Sequence, residues 1–85
     1  MNAPFGYEEL SSLMKATAGI AADPLEMAAN PESSFADFGL DSLGLMAIVA
    51  EIEHNYGTPL GPDAENRKSP REFVELVNSQ LTSGV

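Results

Sequence analysis

Apolar residues recur at three- and four-residue spacing in three separate stretches, and nowhere do two runs alternate in the two-residue rhythm of a strand pair. Leu10, Leu13, Met14 and the Thr17/Ala18 pair line one side of the stretch from Tyr7 to Ala18. Leu45, Ile48, Val49, Ile52 and Tyr56 repeat the pattern from Ser42 to Tyr56. Phe73, Leu76, Val77 and Leu81 repeat it near the C-terminus. Side chains at these spacings share one face of an α-helix, so each stretch is expected to be a helix with one buried stripe.

Local signals fix where these helices begin and end. Glu8 and Glu9 fall in a first turn, where the helix dipole favours acids, and Gly19 is a natural stop. Asp41 is a good N-cap for the second helix, and Gly57 ends it. Ser69-Pro70-Arg71-Glu72 reads as a capping box, with Ser69 at the cap, Pro70 at the first helical position and Glu72 reaching back. Pro62 to Asn66 is long enough for one short helix. From Ile20 to Leu40 no period is sustained, and Pro24 and Pro31 interrupt the chain. Leu25, Met27, Phe35 and Phe38 are expected to pin this long connection onto the core, with one short turn after Asp23-Pro24. The expected fold is all-α. It is an antiparallel four-helix bundle, three main helices plus one short helix, with a long loop between helices 1 and 2. A single domain spans 1–85.

Composition narrows the function. The 85 residues include no cysteine and only one histidine, His54, so thiolate metal sites, disulfides and a cysteine nucleophile are excluded and no metal site is expected. Net charge is −9, and residues 1–66 hold eleven acids against the one base Lys15. Such a surface repels phosphate backbones, which argues against nucleic acid, and steers basic partners inward. Acidity alone would also serve solubility. The uncharged apolar run Leu43 to Ala50 is too short to span a bilayer, and Glu8 and Glu9 stand where a signal peptide would be apolar. A cytoplasmic monomer is expected, with no membrane role.

The chemistry centres on Gly39-Leu40-Asp41-Ser42-Leu43, a serine where a loop becomes a helix. Asp-Ser before an apolar run is often only a cap. A helix N-terminus, however, also suits a phosphate, because unpaired N–H groups and the dipole favour an anion there. Ser42 has no base of its own: His54 lies twelve residues along the same helix, roughly 18 Å away. A serine without a base is a poor nucleophile. Ser42 is therefore expected to be another enzyme's substrate, and no catalytic residue is assigned.

Phe38-Gly39-Leu40-Asp41-Ser42-Leu43 resembles the attachment motif of acyl carrier proteins, whose serine receives 4′-phosphopantetheine from coenzyme A. The order of helix, long loop, motif helix, short helix and final helix extends the resemblance over most of the chain. Tyr56-Gly57, Ser69-Pro70-Arg71-Glu72 and Leu76-Val77-Asn78 look most like the carriers of bacterial aromatic (type II) polyketide synthases. The resemblance implies that Ser42, flanked by Asp41 and Leu43, carries the arm, which holds malonyl units and the growing chain as thioesters. It also implies a set of partners: a phosphopantetheinyl transferase, a ketosynthase/chain-length factor, a malonyl transferase and tailoring enzymes. Two alternatives stay open, a peptidyl carrier protein and a helical adaptor without prosthetic group. Acidic Asp41 and the strong negative charge favour acyl cargo over amino acids.

Such carriers usually line the motif helix with acids, yet the position five after the serine is Ala47. Glu51 and Glu53 are the acids on this helix, and Leu43, Met46, Ala47 and Ala50 share the side near Ser42. These six are expected to meet partners, with apolar packing outweighing charge pairs. Met14 and Met46 are expected to be packing residues, and His54 a solvated helix end. The basic trio Arg67, Lys68 and Arg71 is expected to be a solvated helix-start patch, with contact to a partner or to the phosphate of a docked arm as the alternative. If cargo is sequestered, Leu45, Val49, Leu60 and Val77 would line the space, but a dry pocket is a poor host for ketone-rich cargo, so weak or partial burial is expected. Gly44, inside the first turn, costs about 1 kcal/mol relative to alanine and has no account at this level.

Overall fold

Four α-helices form in the computed structural model, which describes residues 5–83, the side chains of residues 62, 65, 82 and 83 excepted. Helix α1 is Tyr7–Ala18, α2 Pro24–Ala29, α3 Ser42–Tyr56 and α4 Pro70–Ser83. Short 3₁₀ turns occupy Phe35–Phe38 and Pro62–Asn66. No strand occurs among the described residues. Helices α1 and α3 begin and end, and α4 begins, where their local signals place them. Glu9 reaches back to accept the Gly6 N–H at 2.8 Å, and Ser69 Oγ accepts the Glu72 N–H at 3.2 Å.

The connection between α1 and α3 departs from its expected form. It is a second true helix followed by a 3₁₀ turn, not a loop with one turn. Asp23 explains the start of α2: its carboxylate accepts the Leu25 N–H at 2.9 Å, and Pro24 fills the first helical position. The short helix expected at Pro62 to Asn66 is a 3₁₀ segment. Met27 and Phe35 are buried as expected, but Leu25 is 77% exposed and pins nothing. Capping places Leu25 at the second position of α2, whose opposite side carries Met27 inward.

The core is continuous. Helix α1 contributes Leu10, Leu13 and Met14, and α3 contributes Leu45, Ile48, Val49 and Ile52. Helix α4 closes the bundle with Phe73 and Val77, while Leu76 and Leu81 are only half-buried. Three edge-on contacts among four aromatic rings link the chain's distant parts. Phe73 meets Phe5 edge-on at 6.4 Å and Phe35 at 5.7 Å, and Phe5 also meets Tyr56 at 6.4 Å. Burial, and behind it the Glu9 carboxylate, raises the Tyr56 hydroxyl above its ordinary value. Asn78 clamps the start of the chain: its side-chain oxygen accepts the Phe5 N–H at 2.6 Å, and its amide donates to the Phe5 carbonyl at 2.8 Å.

Candidate functional site

The backbone before α3 is turned by a single residue. Gly39 sits at φ 87°, a left-handed conformation that costs a glycine little, and it ends the 3₁₀ turn. The reversal drives Leu40 into the core, where it is 4% exposed, and delivers Asp41 to the start of α3. Asp41 caps the helix: its carboxylate accepts the Gly44 N–H at 2.8 Å and its carbonyl accepts the Leu45 N–H at 3.0 Å. Ser42 then stands at the first helical position, exposed to solvent.

Gly44 now has a reason. A methyl group there would lie 2.6 Å from Leu40 Cδ1, 3.3 Å from the capping Asp41 oxygen and 3.5 Å from the Ala18 side chain. Leu40 is buried and has little freedom to yield. The glycine therefore lets the Leu40 side chain lie against the first turn of α3 while α1 approaches from the other side. Its helix-propensity cost of about 1 kcal/mol is offset by the packing it permits.

The remaining expected residues divide. Leu43, Met46, Ala47, Ala50 and Glu51 are all exposed on the side of α3 turned away from the core. Leu43 is 73% exposed and Met46 46%, so Met46 is a surface residue and not the packing residue expected, whereas Met14 is fully buried. Glu53 is half-buried, and one of its carboxylate oxygens accepts the Leu60 N–H at 2.8 Å. It fastens the loop after α3. His54 is exposed in the last turn, as expected.

A cavity of about 310 Å³ opens beside Ser42. Phe35, Ala36, Leu40 and Leu45 provide apolar walls, and Arg67 and Lys68 also line it. The two sides are tied together where the Phe35 N–H donates to the Lys68 carbonyl at 2.7 Å. Of the residues expected to line a cargo space, Leu45 fronts this cavity, while Val49, Leu60 and Val77 are packed into the core. Spacing alone did not reveal Arg67. Its Nε is sealed from solvent and has no hydrogen-bond acceptor among the described residues. Arg71, by contrast, is exposed and pairs with Glu75 at 3.2 Å, so the basic trio is not one solvated patch.

These features bear on the phosphate that the motif suggests. Asp41 already engages one amide of the helix mouth, so an anion on Ser42 would arrive beside a carboxylate. Two cations, Arg67 and Lys68, line the same cavity, and the exposed hydroxyl leaves an enzyme room to reach it. A one-residue anchor and an adjoining apolar cavity together fit a tethered, mostly apolar arm.

The fold and this site define a carrier domain, and comparison with known proteins agrees. A family model described as "Phosphopantetheine attachment site" matches residues 8–77. The chain belongs to the acyl carrier proteins of that family, which bear acyl groups on a covalently attached phosphopantetheine. Among its relatives is a probable acyl carrier protein of Streptomyces coelicolor, 51% identical over 78 residues, 92% of this chain and 87% of that one. The curamycin polyketide synthase acyl carrier protein of Streptomyces cyaneus is 52% identical over 79 residues, 91% of this chain and 87% of its own. The solution structure of the oxytetracycline acyl carrier protein superposes with a TM-score of 0.75 at 30% identity, covering 95% of this chain and 86% of that one.

Proposed function

We propose that Ser42 carries the 4′-phosphopantetheine arm and that the chain presents malonyl and growing polyketide intermediates to synthase enzymes in the cytoplasm. The observation that carries this reading is the placement of Ser42: exposed, one residue past the cap of α3, on the rim of an apolar cavity. When bound, the group supplies a terminal thiol that holds acyl units as thioesters. The protein's own residues hold the anchor. Asp41 fixes the first turn of α3, Gly39 sets its approach, and Arg67 and Lys68 add positive charge to the lining of the adjoining cavity. The domain is a carrier and not a catalyst in this reading. It lowers no barrier itself but raises the local concentration of a tethered substrate. The polyketide assignment rests on the named relatives, and the acidic residue before the serine favours acyl cargo over amino acids.

Incubation with coenzyme A, magnesium and a phosphopantetheinyl transferase tests the anchor. Intact mass is expected to rise by one phosphopantetheine, and peptide mapping to place it on Ser42. No uptake, or uptake on another serine, sinks the assignment.

The same reading makes the outer side of α3 the docking face for transferase, ketosynthase/chain-length factor, malonyl transferase and tailoring enzymes, each meeting one monomeric carrier. Leu43, Met46, Ala47 and Ala50 form its apolar centre and Glu51 an acidic edge, with Glu53 engaged by the Leu60 amide. Apolar packing is insensitive to screening, whereas exposed charge pairs weaken as salt rises. Affinity for the transferase is expected to fall only severalfold between low and high salt, measured by calorimetry. A loss of a hundredfold or more, taken as roughly the scale of strongly steered complexes, assigns the contact to charge instead.

A further inference from the structure

Leu25 is the most exposed large apolar side chain among the described residues, and the site at Ser42 does not use it. Its exposure is held in place by the fold. Asp23 and Pro24 set the start of α2, and Met27 anchors its inner side in the core. Asn30 closes the far end, where its side-chain amide donates to the Glu26 carbonyl at 2.8 Å. The Ser11 hydroxyl donates to the Ala22 carbonyl, which ties α1 to the stretch just before α2. Between the first turn of α1 and α2 lies a groove of about 540 Å³. Tyr7, Pro24, Leu25 and Ala28 give it carbon, while Glu8, Glu9 and Asp23 give it acid. Glu9 and Asp23 are fixed by the N–H groups they accept, from Gly6 and Leu25, and exposed Glu26 follows Leu25 on α2. No lysine or arginine lines the groove among the described residues. None of its lining residues belongs to α3 or to the cavity beside Ser42, and α2 packs on α1 and α4.

We infer that this groove is a second docking surface and that its occupant is a basic segment of a partner protein. One apolar side chain of that segment seats against Pro24, Leu25 and Ala28, and flanking lysine or arginine side chains meet the carboxylates. Charge complementarity selects this occupant. A purely apolar ligand would strip water from the carboxylates and return nothing to them, whereas a cation replaces the lost hydration with an ion pair at the rim. A second copy of the chain carries net charge −9, and anionic lipid headgroups are negative too, so long-range repulsion disfavours both. The caps at the two ends of α2 and the Ser11 tie hold the groove ready-formed, which lowers the ordering cost of docking on the carrier's side. A partner seated here occupies neither the outer side of α3 nor the cavity beside Ser42, and the inference stands whether or not Ser42 is the anchor.

The probe is a synthetic peptide of roughly four helical turns, made of leucine and lysine so that leucine lines one face. Backbone-amide NMR of the full chain follows its titration. Shifts are expected to centre on Tyr7, Leu25 and Ala28, and affinity to fall about tenfold in Leu25→Ala, the scale of one partly buried leucine side chain. The double variant Glu8→Gln/Glu26→Gln is expected to bind severalfold more weakly, and the same peptide with glutamate in place of lysine not to bind. Both carrier variants change exposed residues and should melt like the parent, and the charge variant keeps the test open should α2 fray in Leu25→Ala. Shifts centred on Leu43 and Met46, an affinity indifferent to both variants, or no binding at about 1 mM lysine peptide overturns the inference. Equal binding of the glutamate peptide does so too. A dimer of the carrier alone, seen by sedimentation and lost in Leu25→Ala, makes a second copy the occupant and overturns it. Binding to phosphatidylcholine vesicles that is lost in Leu25→Ala overturns it in favour of a lipid surface.

Discussion

Replacing Ser42 with alanine yields a protein that folds and melts like the parent and takes up no phosphopantetheine. The two halves of that result have separate causes. Loading requires an oxygen that can become the ester, and alanine has none, so uptake falls to zero and not to a fraction. Stability is untouched because the cap of α3 belongs to its neighbour: the Asp41 carboxylate holds the Gly44 N–H at 2.8 Å. Ser42 is exposed at the first helical position, where alanine is a good helix former. Exposed substitutions away from such a cap shift stability by about 0.5 kcal/mol or less. Ser34 lines the same cavity and is the obvious rival nucleophile. Its hydroxyl, however, caps the 3₁₀ turn by accepting the Asp37 N–H at 3.3 Å. Ser34→Ala is therefore expected to load normally while losing some stability. Intact mass and a thermal melt on both variants decide the matter. Residual loading of Ser42→Ala would move the anchor elsewhere.

The sequence made the helices legible because their boundaries are local events. Gly19, the Asp41–Gly57 pair and the Ser69-Pro70 start each act on the backbone within a few residues, so no tertiary knowledge is needed to place α1, α3 and α4. The inward stripe of α3 was equally plain, since a long helix gives its period room to repeat. Helix α2 has six residues, less than two turns, too few for a period to show. Only Asp23-Pro24 announced it. The serine was legible as a site through its motif, but its surroundings were not. Arg67 carries the same charge in sequence as Arg71, and only the fold buries the Nε of one while leaving the other on the surface. Gly44 depends on Leu40, whose side chain lies across it, and on Ala18 from another helix. Glu53 looks like one more surface acid until the chain turns back and offers it the Leu60 N–H. What escaped was in each case a contact between segments distant in sequence or folded back on themselves.

The same reasoning gives the largest stability effect to a residue outside the motif. Phe73→Ala is expected to cost about 3–5 kcal/mol, the range for removing a fully buried aromatic ring. Small domains hold only about 5–15 kcal/mol in total, so this loss leaves the chain near or past its unfolding threshold at ambient temperature. Phe73 is inaccessible to solvent and contacts Phe5 at 6.4 Å and Phe35 at 5.7 Å, both edge-on. It therefore joins three segments that are otherwise remote: the start of the chain, the turn before the motif and helix α4. Each edge-on pair adds about 0.5–1.5 kcal/mol beyond the area it covers. Phe73→Leu keeps most of the buried volume and should cost roughly 1.5 kcal/mol or less beyond the lost ring contacts. Denaturant melts of both variants provide the measurement. A loss under about 1 kcal/mol for the alanine variant would show that the site can collapse around the missing ring. The consequence reaches the cavity too, because Phe35 is one of its walls and its N–H is tied to the Lys68 carbonyl. Withdrawing the ring that Phe35 leans on loosens that wall.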